Sequence, residues 1–204
     1  MKLIMLTFIA GWLFAPGKAI VEKWVIEKNS SLSIAGKSNV NCFTCDVPEY
    51  LHPDTVTFYK EDHYQQFFTI KGGPVILINR FDCHQRYITA DLRKTLKSDD
   101  GATLKISLLN MGNFTPRADE QKVKGWVAIE LAGITQKMEV AYTVQTDSRG
   151  LLHLCGSRKV LFSDFGLVPP RKLAGLIKVE EEIDVSFRLV LRSVQENIYS
   201  KSDL

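Results

Sequence analysis

From Ile183 the chain reads IDVSFRLVLR, in which Ile183, Val185, Phe187, Leu189 and Leu191 alternate with Asp184, Ser186, Arg188 and Arg192. A side-chain period of two belongs to a strand with one apolar face and one wet face, not to a helix. The same period recurs along the chain. Leu32, Ile34, Val40 and Cys42 fall on even positions; Val75, Leu77, Phe81 and Cys83 fall on odd ones. Leu104, Ile106 and Leu108 repeat the pattern, as do Val123, Val127, Ile129 and Leu131, then Met138, Val140, Tyr142 and Val144. Turn residues separate these runs: Lys71-Gly72-Gly73-Pro74, Ala132-Gly133 and Asp147-Ser148-Arg149-Gly150 read as three hairpins. One segment departs from the pattern. In HQRYITADLRKTLKS the apolar residues Ile88, Leu92 and Leu96 recur every four positions, as on a helix with a single apolar stripe. The expected fold is therefore all-β and antiparallel with one α-helix, either a sandwich or a closed barrel; periodicity does not separate the two.

The first residues, MKLIMLTFIAGWLFAPGKA, place one Lys ahead of an apolar run from Leu3 to Ala15, followed by small residues. This is the pattern of a cleavable secretory signal peptide over 1–19, shorter in its apolar part than the roughly 20 residues that span a bilayer. Loss of Lys2 and Lys18 would lower the formal charge from +3 to +1, so no nucleic-acid footprint is indicated. With 204 residues, one domain over 20–196 and a short tail over 197–204 are expected.

Export favours disulfides for the four cysteines, Cys42, Cys45, Cys83 and Cys155. Cys42 and Cys45 have opposite parity and on one strand cannot bond each other. The expected pairs are Cys45 with Cys83 and Cys42 with Cys155, out of three connectivities that sequence permits. A zinc site at Cys42, Cys45, Cys83 and His84 is the competing reading of the same residues. Asp164-Phe165-Gly166 matches a kinase triplet, but no Gly-rich phosphate loop, paired strand Lys or His-Arg-Asp loop accompanies it. The four histidines, His52, His63, His84 and His153, are scattered and no nucleophile elbow is present, so no catalytic set is assembled in sequence.

Three stretches carry a family resemblance: WVIEKNSSLSIAGKSNVNCF from Trp24, KVKGWVAIELAGITQKMEV from Lys122, and FSDFGLVPPRKLAGLIKVEEEIDVSFRLVL from Phe162. Together they resemble the YceI-like family of bacterial secreted proteins, in order and over nearly the whole exported chain. The cysteines mark it as a divergent, cysteine-containing member, and FDCHQRYITADLRKTLKSDDGATLKISL, which matches the family's strand, helix and strand loosely, lacks the Pro that commonly precedes the strand after the helix. The resemblance implies a lipocalin-like antiparallel β-barrel with one inserted helix, closed around an elongated apolar pore that binds a polyisoprenoid or similar long lipid.

The resulting expectation is a periplasmic or secreted lipid-binding protein, not an enzyme. No cofactor or metal is expected; the partner is a long-chain isoprenoid lipid or another apolar ligand, no nucleic acid is involved, and a homodimer is left open. The alternation nominates Val127, Ile129, Met138, Val140, Tyr142, Phe187 and Leu189 as pore lining, with Phe162, Phe165 and Leu167 near a mouth. Plain core packing accounts for each of them equally well. The alternative function is a ligand-free envelope stress or protein-interaction domain with a filled core. A third reading, an enzyme acting on lipid-linked substrates, requires Asp164, His153 or His84 to be buried at the pore. The stretch from Leu167 to Leu176 is expected to cover one end of the barrel with its apolar side chains turned inward.

Overall fold

The computed structural model describes residues 20–60, 66–97, 101–117 and 119–194. The expected signal peptide and C-terminal tail lie outside them. A ring of eight antiparallel strands closes the molecule: β12 (Ile177–Val194) pairs β1 (Ile20–Ile26), which pairs β4 (Thr55–Lys60) and then β5 (Phe67–Gly72). The ring continues through β7 (Thr103–Gly112), β8 (Gln121–Leu131), β9 (Ile134–Thr146) and β10 (Leu152–Leu161), and β10 returns to β12. The expected all-β, lipocalin-like fold is thus observed, as a barrel and not a sandwich.

The barrel closes differently at its two ends because β12 is 18 residues long and has two neighbours on one edge. Its last residues, Leu191 to Val194, pair β1; its first half, Val179 to Arg188, pairs β2 (Ser31–Ser38). Next to β2 lies β3 (Cys42–Val47). There the Cys45–Cys83 disulfide and a pair of backbone hydrogen bonds, Asp46 N to Asp82 O and Asp82 N to Asp46 O at 2.8 and 3.0 Å, join β3 to segment 81–83. That segment leads back to β6 (Val75–Leu77), which pairs the start of β7. One end is therefore closed by strand pairing alone, the other through the disulfide.

Two local readings are corrected here. Lys71-Gly72-Gly73-Pro74 does not turn a hairpin; β5 and β6 run in line along β7, one pairing Asn110 to Gly112 and the other Thr103 to Lys105. Gly73, at φ 149°, is a kink in that interrupted strand, where a Cβ would stand 2.1 Å from the Ile106 carbonyl oxygen. Nor do Val75 and Leu77 face the core. Ile76 and Ile78 do, and a short 3-10 turn at Ile78–Arg80 shifts the phase so that Phe81 and Cys83 are buried beyond it. Likewise Leu32 and Cys42 are not on one strand, since a turn at 39–41 separates β2 from β3 and leaves Val40 in solvent.

The two other expected turns and the helix are observed. Ala132 and Gly133, with φ 52° and 80°, turn β8 into β9 in the left-handed geometry that matches strand twist. Asp147 organises the β9–β10 turn, its Oδ1 accepting from the amides of Arg149 and Leu151. The helix α1 (Arg86–Thr95) lies across the disulfide end and buries Leu92 and Leu96. At the opposite end Trp24, Phe58, Phe68 and Phe114 cluster with ring centroids 5.3–6.5 Å apart, the contacts of Phe58 edge to face and the Phe68–Phe114 pair tilted.

Candidate functional site

The helix end is the part of the molecule with room for a ligand. Strand β10 ends at Leu161, and the next four residues form a short 3-10 turn, Phe162–Phe165, that puts both aromatic rings into the barrel. Asp164 caps this turn: its Oδ2 accepts from Leu161 N at 2.9 Å, and its carbonyl accepts from Gln136 Nε2 at 2.7 Å. Gly166 ends the turn in the left-handed region at φ 61°. The Asp-Phe-Gly triplet therefore sets an aromatic pair in place, and Phe165 is buried as expected.

Behind these rings is an enclosed, wholly apolar cavity of about 40 Å³, bordered by Ile34, Leu96, Ile129, Phe162, Phe165 and Leu167 among others. In front of Phe162 an open cleft of about 510 Å³ runs between α1 and the segment that carries β11 (Arg171–Lys172), with Phe43, Ile88, Leu92, Ile177 and Val179 on its walls. Phe162 borders both spaces and is the partition between them. Size decides which can hold a ligand. A dry apolar cavity needs about 150 Å³ to admit benzene, and small-molecule pockets run from about 300 to 1,000 Å³. The cleft falls in that range and the inner cavity does not.

One wall of the cleft is anchored on the disulfide segment, and an exposed ion pair spans the opening to the other. Helix α1 is fixed to the disulfide segment by Arg93, whose Nε and Nη2 donate to Phe81 O at 3.2 and 2.8 Å, and by Thr89 Oγ1, which accepts from Cys83 N at 2.9 Å. Across the cleft Lys172 Nζ meets Asp91 Oδ1 at 2.6 Å, with the lysine half exposed. An exposed ion pair of this kind contributes at most about 1 kcal/mol.

The nominated residues separate into three groups. Ile129, Phe162, Phe165 and Leu167 border the apolar cavity. Phe187 and Leu189 border a second interior void of about 10 Å³ nearer the middle of the barrel. Val127, Val140 and Tyr142 are buried and Met138 half-buried, and none of the four borders either void: they are packed core. The Tyr142 ring packs against Phe187 with centroids 5.8 Å apart, and its hydroxyl has no hydrogen-bond partner among the described residues. Burial holds that phenol well above its usual range. Among the described residues, the nominated interior side chains border two small hollows, of about 40 and 10 Å³. Sequence reasoning missed the cleft walls Phe43, Ile88 and Val179, because each comes from a different element and only Ile88 lies in a recognisable apolar stripe.

The cysteine pairing is half right. Cys45 and Cys83 are joined, while Cys42 and Cys155 are free thiols. Strands β12 and β2 stand between β10, which carries Cys155, and β3, which carries Cys42. At about 4.8 Å per strand step that separation is far beyond disulfide reach. The disulfide also consumes two of the four zinc ligands considered above, and among the described residues no three His, Cys, Asp or Glu side chains converge on a metal-sized site. Of the residues named by the enzyme reading, Asp164 is at the site but half-buried and engaged in capping the 162–165 turn, and the two histidines are elsewhere. His84 is on the surface beside Asp46, and His153 lies on the outer face of β10 with its Nε2 3.2 Å from Asp147 Oδ2. Burial raises the Cys155 thiol above its ordinary value, the opposite of an activated nucleophile.

Among solved structures, a polyisoprenoid binding domain from Saccharophagus degradans, implicated in plant cell wall breakdown, superposes with a TM-score of 0.58 over 84% of this chain and 98% of its own, at 9% identity. The two share a fold. BcnA of Burkholderia cenocepacia superposes with a TM-score of 0.56 over 79% of this chain and 95% of its own, at 14% identity. No known family model matches the sequence, and no curated protein is similar to it. The likeness is one of backbone architecture, the architecture that the YceI-like resemblance implied.

Proposed function

We propose that this chain is a lipid-binding protein of the periplasm or extracellular space that takes a long apolar molecule, polyisoprenoid or quinone-like, at the helix end of its barrel. The observation that carries the reading is the largely apolar cleft of about 510 Å³, with Phe162 lining both it and a small apolar cavity of the barrel. A prenyl chain laid in the cleft would leave water for Phe43, Ile88, Leu92 and Val179, at about 25 cal/mol per Å² of apolar surface removed. Rotation of Phe162, or release of the Lys172–Asp91 contact, would extend the cleft inward. The shared fold with a domain described as polyisoprenoid binding supports the ligand class, and a disulfide suits an oxidising compartment. Catalysis is not part of the proposal, since the ionisable groups near the cleft are engaged in capping and ion pairing.

A second reading, a ligand-free domain with a filled core, is favoured by the aromatic stack at the distal end and by the small interior voids. Solvent extraction of protein purified from a native-like host, followed by mass spectrometry, separates the two. One long-chain lipid per chain is expected. An empty extract, together with no uptake of an added polyprenyl quinone, would establish the filled-core reading instead.

A further inference from the structure

The segment from Leu167 to Leu176 does not turn all its apolar side chains inward. Leu167 is buried, but Val168, Leu173 and Leu176 are 73%, 68% and 74% exposed, and Val40 across the cleft is 63% exposed. We propose that this end of the barrel is a docking surface for an anionic phospholipid bilayer.

The tips are deliberately held out. Leu173 and Ala174 both sit at positive φ, 49° and 52°, ahead of Gly175 at 92°. That conformation is unfavourable for a bulky side chain, and here it gains no burial in return. Asn39 fixes the tip against the 39–41 turn: its Nδ2 donates to Leu176 O at 2.8 Å, its Oδ1 accepts from Lys178 N at 2.9 Å, and its own amide donates to Lys178 O at 3.1 Å. Val40, Leu173 and Leu176 are thereby presented together, next to the cleft.

Charge selects the partner. The hollow beside Val168 is lined, among the described residues, by Lys94, Lys97, Arg171 and Lys172 against one acid, Asp91, which Lys172 already engages. Of the acids at the start of β12, Glu181 and Glu182 are committed to Ser163 N and to Lys159, which leaves exposed Glu180 against the basic residues of the hollow. Single aliphatic tips interleaved with Lys and Arg suit the boundary between acyl chains and anionic headgroups. A protein interface would concentrate aromatics and exclude lysine from its centre. The inference draws its purpose from the lipid-binding reading, since docking would set the cleft against the source of its ligand, but the test is independent because its vesicles contain no isoprenoid.

The test is co-sedimentation of the chain with phosphatidylglycerol–phosphatidylethanolamine vesicles and with phosphatidylcholine vesicles, wild type and variants compared in the same form. Binding to the anionic vesicles only, weakened by high salt, is expected. K94Q/R171Q should reduce affinity about 25-fold, at about fivefold for each basic residue. L173N/L176N should reduce it at least about a hundredfold; asparagine tolerates the left-handed backbone at 173, and the charge pair tests the surface separately should this variant not fold. Failure to bind anionic vesicles, or binding that neither variant weakens, would overturn the proposal. So would a dimer in sedimentation equilibrium that L173N/L176N dissolves, which would make this face a contact between copies.

Discussion

Removing the Cys45–Cys83 disulfide tests the two-ended closure of the barrel. The bond spans 38 positions. The chain-entropy relation for a loop of that length gives about 13 cal/mol/K, or about 3.9 kcal/mol at 25 °C. C45A/C83A should therefore lower stability by about 4 kcal/mol, which for a chain of this size is a fall in Tm of about 8–16 °C. Urea unfolding followed by circular dichroism measures the loss. The location of the loss is the sharper test. The distal end is closed by β12, β1, β4 and β5 through continuous strand pairing, so it should keep its protection. At the helix end only the Asp46 and Asp82 hydrogen bonds would still join β3 to segment 81–83. Native-state amide exchange should thus quicken at Asp46 and Asp82 while Val56 and Phe58 follow global unfolding. A loss below about 1 kcal/mol, or equal acceleration at all four amides, would refute the view that the disulfide serves as a local substitute for strand pairing.

Two further outcomes are expected. Thiol titration should find two reactive groups in the unfolded chain without reductant, and in the native state Cys42 should react quickly and Cys155 slowly, in keeping with their exposures; four thiols would mean that no disulfide forms, and zero that Cys42 and Cys155 are also oxidised. Burial of the Tyr142 phenol, and burial of Tyr50 together with its bond to Asp54, raise both well above the ordinary 10.0. Their contribution is present in full below pH 10 and is lost as pH rises above it, because the unfolded chain releases those protons first, at about 1.4 kcal/mol per pH unit for each tyrosine. Y142F should halve that slope and, by removing a buried hydroxyl that lacks a partner, stabilise the protein at neutral pH by about 1 kcal/mol; unfolding curves between pH 8 and 11 would show either effect absent.

What the sequence determined by itself was local. Alternation at 104–108, 127–131, 140–144 and 183–191 placed strands and their buried faces, because a pleated strand has a period of two wherever it sits. The four-residue spacing of Ile88, Leu92 and Leu96 placed the helix, and the Ala132-Gly133 turn placed a hairpin. Local reading failed where a neighbour in space set the conformation. Gly72 and Gly73 looked like a hairpin but carry an in-line kink pressed against Thr55 and Ile106. Cys42 and Cys155 were expected to pair but stand three strand steps apart. The candidate site was legible only in part. Phe162, Phe165 and Leu167 could be nominated from their turn, but whether inward side chains surround a pore or fill it depends on how rings from distant strands meet. Only the tertiary structure brings Phe58, Phe68 and Phe114 together at one end and leaves a cleft beside Phe162 at the other. Side-chain period is a property of a strand; the space left inside a barrel is a property of all its strands at once.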